Sequence, residues 1–230
     1  GSDAGLSPVL VAITPTPASD GDEPGDGADL EADLATFGAG ARAAVLVLPW
    51  SDVPPGEDPA LAKRISFYEA NGKRVLVNLA VVDRLADHRP EPVAGLAWNS
   101  PATLEAAHQA IDTIFEAGGP AIRFLTIARD ADLYLAAHPT QRSAFVTFVK
   151  EICAYAKGHA GAAGDLLAGV ALSSAAPKSE PSFSDLLDAG DVVAFSHLPG
   201  LGTYETDAAS NVVTEIGALA SVTSAPTTVY

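Results

Sequence analysis

The chain has 230 residues, a formal net charge of −16 and an isoelectric point near 4.4, with one cysteine, no methionine and two tryptophans. Hydrophobic residues make up 48% and charged residues 18%, enough apolar side chain for a real core, which excludes a globally disordered chain. With 29 acidic against 13 basic side chains nucleic acid is a poor partner, no apolar run approaches the roughly 20 residues of a spanning helix, and the lone Cys153 excludes an internal disulfide or a multi-cysteine zinc site.

Gly1-Ser2 at the start reads as a scar of tag cleavage, so residues 1–7 are taken as scar and N-terminal tail of a single domain spanning 1–230. A leader or a further domain is expected upstream, and the low lysine and cysteine content is compatible with export. Pro8 to Thr14 is the first apolar run, followed by an acidic, glycine-rich loop from Ala18 to Gly27. Ala28 to Phe37 predicts a helix, with Leu30, Leu34 and Phe37 on one face. Ala43 to Trp50 is the second run. A second helix begins at Asp58-Pro59, an N-cap followed by proline in the first turn, and stops at Asn71-Gly72. Lys73 to Val82 is the third run, and a polar loop with Arg84, Arg89 and Trp98 occupies Asp83 to Asn99.

Ser100-Pro101 opens a third helix that runs to Ala117 and ends in Gly118-Gly119. Ala121 to Ala128 is the fourth run. A loop carrying Asp130, Asp132 and Tyr134 leads to a fourth helix from about Thr140 to Gly158, with Cys153 on its apolar face beside Val149 and Ile152. Leu166 to Ser174 is the fifth run, Phe183 to Ala189 a short helix and Val192 to Leu198 the sixth run. Asn211 to Val222 predicts another helix, and Thr227 to Tyr230 starts a seventh strand.

Continuous apolar strands alternating with helices predict an α/β fold with a parallel sheet covered by helices. Two architectures compete, the open doubly wound sheet and the closed (β/α) barrel. The segment after the first run has no GxGxxG and is strongly acidic, which argues against a dinucleotide fold, and no P-loop is present. Polar and aromatic residues fall just after the strands instead: Trp50-Ser51-Asp52, Asp83-Arg84, Arg129-Asp130 and His197. A (β/α) barrel places its active site there, so a barrel with six to seven strands rather than eight is the predicted fold. No cofactor and no metal are expected; His88, His108, His138 and His159 lack ligand spacing, and Asp20, Asp22 and Asp26 lack the carboxylate that would complete a calcium loop.

Five segments in order, LPWSDVPPG, NGKRVLVNLAVVDRLADHRP, GLAWNSP, FLTIARDADLYLAAHP and DVVAFSHLPGLG, resemble bacterial glycoside-hydrolase-like TIM barrels of the arabinogalactanase and cellulase type, over about residues 43–200. The resemblance implies a general acid/base glutamate after the fourth strand, in a Gly-Asn-Glu sequence, and a nucleophilic glutamate after the seventh. Retention requires the two carboxyls about 5–5.5 Å apart. The chain departs from that pattern twice. Ala128-Arg129-Asp130 stands where Gly-Asn-Glu is implied, which shortens the carboxylate by a methylene and sets an arginine beside it, expected to lower its pKa. Tyr230 ends the sequence before the position implied for the nucleophile, so the resemblance implies a degenerate and C-terminally incomplete barrel.

Each candidate site residue carries two readings. Asp130 is a weak candidate acid/base or a helix-start residue. Trp50 and Trp98 are sugar platforms or packing residues, and Tyr134 lines the cleft or packs under the loop. Asn78 contacts substrate or hydrogen-bonds inside the barrel. Asp83, Arg84 and Arg129 are substrate-binding candidates, or Asp83 and Arg84 pair with each other or with Arg129 and Asp130. His197 faces the ligand or is structural, and Glu205 is the nearest later carboxylate. Three functions follow: a barrel without hydrolase activity that binds saccharide at most; an active retaining glycosidase completed by missing or partner-supplied strands; and a module whose open strand edges recruit a protein partner or a second copy.

Overall fold

The computed structural model describes residues 12–13, 43–159, 166–176, 183–196 and 227–229. The helices expected at 28–37 and 211–222, the acidic loop with Asp20, Asp22 and Asp26, His197 and Glu205 lie outside the described residues.

The elements run β1 (Ala12–Ile13), β2 (Ala43–Pro49), α1 (Pro59–Ala70), β3 (Arg74–Asp83), β4 (Ala86–Asp87), α2 (Pro101–Gly118), β5 (Ile122–Arg129), α3 (Ala131–Ala137), α4 (Arg142–His159), β6 (Leu167–Ser173), α5 (Ser184–Leu187), β7 (Val192–Ser196) and β8 (Thr227–Val229). The caps form as the sequence predicts. Asp58 accepts the Leu61 amide at 3.0 Å ahead of α1, and Ser100 accepts the Thr103 amide at 3.2 Å ahead of α2. Gly72 adopts φ 69° just past the end of α1, where a side chain would be strained.

Strand order is β1-β2-β3-β5-β6-β7-β8, every neighbouring pair parallel, with β4 antiparallel to β3. A doubly wound sheet reverses its strand order at a switch point; this one never reverses. Right-handed crossovers in one direction place every connecting helix on one face, and that is barrel topology. Among the described residues β1 pairs only with β2 and β8 only with β7, so the sheet is an unclosed barrel of seven parallel strands.

Alternation along the strands divides the core in two. Ala44, Leu46, Val75, Val77, Leu125, Ile127, Val170 and Val193 point outward, and α1, α2 and α4 bury Leu61, Ile65, Ile111, Ile114, Phe148 and Ile152 against them. Ala43, Val45 and Leu76 form a separate inner cluster with Val47 and Phe124. Cys153 lies in the outer layer and is buried. No described helix is long and apolar enough to cross a membrane.

Three local readings need correction. The polar loop after β3 contains a hairpin: only Arg84 and Leu85 separate β3 from β4, in a pairing that sets Asp83 against Ala86. The loop expected at Asp130 to Tyr134 is a seven-residue helix, α3, entered from Asp130. The fourth predicted helix begins at Arg142, after a tight 3-10 turn over Pro139–Gln141.

Candidate active site at the C-terminal ends of the strands

The parallel strands end on one rim, and polar side chains gather there. Inside the barrel Asn78 lies in register with Thr126, and its amide donates to Thr126 Oγ1 at 2.8 Å and to the Ala128 carbonyl at 2.6 Å. Its Oδ1 is buried without a hydrogen-bond partner. The geometry gives Asn78 an interior hydrogen-bonding role.

Above it, β3 and β5 finish side by side, with Asp83 in register with Arg129. The ends are joined by the Arg84 amide, which donates to the Arg129 carbonyl at 3.1 Å. Their charges pair crosswise. Arg129 Nη1 lies 3.3 Å from Asp83 Oδ2, and Arg84 Nε lies 3.6 Å from Asp130 Oδ2. The backbone is strained at this point. Among the described residues the non-glycine positions with positive φ are Arg84 at 55°, Ala128 at 69° and Asp130 at 52°, all at these two strand ends. Each such position costs roughly 1–2 kcal/mol, less for aspartate, whose short polar side chain tolerates it.

Asp130 is 2% exposed, and its Oδ1 accepts the Ser196 hydroxyl from the end of β7. Burial pushes its carboxyl pKa above the ordinary carboxylate value. The Ser196 bond pulls the other way, the charge of Asp132 adds to the rise, and Arg129 lowers it by less. Arg129 lowers this carboxyl as expected, but the net shift is upward, because desolvation outweighs one partly exposed cation. Asp132 is as buried as Asp130 and is fully committed: it accepts the Ser173 amide at 2.7 Å and the Ser173 hydroxyl at 2.6 Å, which ties α3 to the end of β6.

The aromatic candidates lie in the core. Trp50 is 1% exposed and packs on Phe148 at a centroid distance of 5.9 Å. Trp98, also 1% exposed, meets Phe145 at 5.0 Å, Phe148 at 5.2 Å and Tyr134 at 6.1 Å, and donates from Nε1 to Gln141 at 2.7 Å. Tyr134 is 2% exposed and donates to the same Gln141 oxygen at 3.1 Å. None of the three rings offers a face to a sugar, so of the two readings packing is the one realised.

One residue was named from the sequence only as part of the polar loop, without a role. Arg89 holds the loop after β4: it donates from Nε to Asp87 at 3.0 Å and to the Leu96 carbonyl, and its guanidinium sits 4.2 Å above the Trp98 ring. Burial works against the charge of Asp87, but the hydrogen bonds from Arg89 outweigh it and hold this carboxyl below its usual range. Only the presence of an arginine, an aspartate and a tryptophan in one loop could have hinted at this knot.

No protein-family model matches the chain, and no curated protein matches it either. Solved structures do. An exo-β-1,4-mannosidase, Op5Man5 from Opitutaceae bacterium strain TAV5, superposes with a TM-score of 0.62 at 15% identity over 84% of this chain and 39% of its own. An apo β-glucosidase, 1317, gives 0.62 at 11% identity over 86% and 66%. A GH5_18 protein from Bifidobacterium longum subsp. infantis gives 0.57 at 12% identity over 75% and 46%. The fold is that of glycoside-hydrolase TIM barrels, and the chain spans between 39% and 66% of these neighbours' length.

Proposed function

We propose that this chain is a glycosidase-like barrel that holds a saccharide at its mouth without hydrolysing it. The observation that carries the reading is the engagement of three carboxylates at the described ends of β3 and β5 and in α3. Asp83 faces Arg129, Asp130 takes the Ser196 hydroxyl and lies by Arg84, and Asp132 takes both donors of Ser173. Retaining hydrolysis needs one carboxyl free to attack and another free to shuttle a proton, about 5–5.5 Å apart. These three are spent on holding α3 and the ends of β3, β5, β6 and β7 together. Incubation with 4-nitrophenyl β-D-mannoside and β-D-glucoside tests the reading. No release of nitrophenol is expected, with oligosaccharide binding retained in calorimetry.

A second reading has one observation in its favour. Asp130 follows the fourth parallel strand, and burial raises its pKa, the direction a general acid needs. An active retaining glycosidase would use Asp130 as acid/base, with the nucleophile supplied by residues outside those described. Nitrophenol release that disappears in Asp130→Asn would establish this reading over the first. Both readings place the protein where polysaccharide is met, outside the cytoplasm, and fractionation of its native host tests that placement.

A further inference from the structure

We infer that the mouth selects an acidic saccharide, with a uronate carboxylate gripped by the guanidinium groups of Arg84 and Arg129; this rests on the saccharide-binding reading above. The two arginines leave the backbone at adjacent points, since the Arg84 amide is bonded to the Arg129 carbonyl at 3.1 Å. Neither spends all of its donors. The Asp130 oxygen beside Arg84 Nε is 3.6 Å away, beyond hydrogen-bond distance, and no described residue accepts a hydrogen bond from the Arg84 guanidinium. Arg129 gives only Nη1 to Asp83, at 3.3 Å, and its Nε is buried without a partner.

The Arg84–Asp130 pair is unequal in what it shows to solvent, whereas Arg129 and Asp83 are exposed about equally, at 31% and 27%. The Arg84 side chain is 50% exposed while that of Asp130 is 3% exposed. A ligand arriving at Arg84 meets the cation first, on a chain whose net charge is −16. A planar guanidinium with several open donors matches a planar carboxylate through two parallel N–H···O bonds, a match a neutral hydroxyl cannot make. Arg84 is held at φ 55° at the tip of the β3–β4 hairpin, where glycine or asparagine would relax the turn. A long cationic side chain kept at a strained position beside a second arginine is consistent with selection for its charge rather than for the turn.

The test is calorimetric titration of the protein with trigalacturonate, mannotriose and sodium acetate. Trigalacturonate is expected to bind at least tenfold more tightly than either of the others. Arg84→Gln and Arg129→Gln should each weaken trigalacturonate at least tenfold and weaken mannotriose far less, with the melting temperature of Arg84→Gln matching the parent. Arg84→Lys, which keeps the charge and loses the fork, should fall between. Mannotriose binding as tightly as trigalacturonate would overturn the inference and leave the saccharide cleft standing. Acetate binding as tightly would overturn it by showing a general anion site. Trigalacturonate affinity insensitive to both arginine substitutions would also overturn it, and no binding of either trisaccharide would remove the inference and the cleft together.

Discussion

Replacing Trp98 by alanine separates a core residue from a sugar platform, and the structure sets the size of the effect. The ring is 1% exposed and touches Tyr134, Phe145 and Phe148, while the Arg89 guanidinium lies 4.2 Å above it. Truncating a buried aromatic side chain costs about 3–5 kcal/mol, through lost transfer energy and the cavity left behind. Loss of the desolvated cation–π contact adds to this and leaves Arg89, which is 8% exposed, with one fewer partner. For a chain of this size about 4 kcal/mol lowers the melting temperature by roughly 8–16 °C. Trp98→Phe keeps most of the packing and loses only the Nε1 donation to Gln141, so it should cost about 1 kcal/mol, or roughly 2–4 °C. Thermal unfolding followed by circular dichroism measures both. A Trp98→Ala protein that melts within 2 °C of the parent by that scale, yet loses oligosaccharide binding, would refute the assignment of Trp98 to the core.

Three further outcomes follow from the structure. Asp130 has a folded pKa above its ordinary value of 3.8, so the native state holds that proton more tightly than the unfolded chain does. Its contribution to stability therefore falls as pH rises from the unfolded pKa through the folded one, and is level above that. Asp130→Asn, which tolerates φ 52° and can still accept from Ser196, should melt higher than the parent at neutral pH, with the gap closing below pH 3.8; a lower melting temperature at neutral pH would contradict this. A Cβ at Gly169 would sit 1.7 Å from the Val192 carbonyl oxygen, which is backbone and cannot step aside without opening the β6–β7 ladder. Gly169→Ala should lose at least the ~3 kcal/mol at the top of the usual overpacking range, read by urea unfolding. The Cys153 thiol is pushed up to about 12 by burial, so iodoacetamide at pH 8 should modify it only as fast as the protein opens.

The strands and the main helices were legible because their signals are local. Runs such as AAVLVLP and RVLVNLAVVD are mostly apolar, as strands covered on both faces are, and Asp58-Pro59 and Ser100-Pro101 announce helix starts by cap chemistry alone. What failed depended on contacts far apart in the chain. Whether Trp50 and Trp98 face solvent or core is decided by where Phe148 of α4 lies, about fifty residues or more away, and no spacing encodes that. The helix α3 hid behind Asp130, whose left-handed backbone interrupts the pattern, and β4 is only two residues long. The crossed ion pairs could be anticipated as a set of four residues, but the β3–β5 register chose the partners. The direction of the Asp130 pKa was misjudged because the neighbouring arginine is visible in sequence while burial is not.

The measurement that bears most directly on the central claim is product analysis by mass spectrometry after prolonged incubation with β-linked manno- and gluco-oligosaccharides, run on the parent protein and on Asp130→Asn side by side. Intact oligosaccharide in both samples is the predicted result, because the mouth carboxylates Asp83, Asp130 and Asp132 are each held by a partner. Shortened products in the parent sample and none with Asp130→Asn would contradict the account and make Asp130 a working acid.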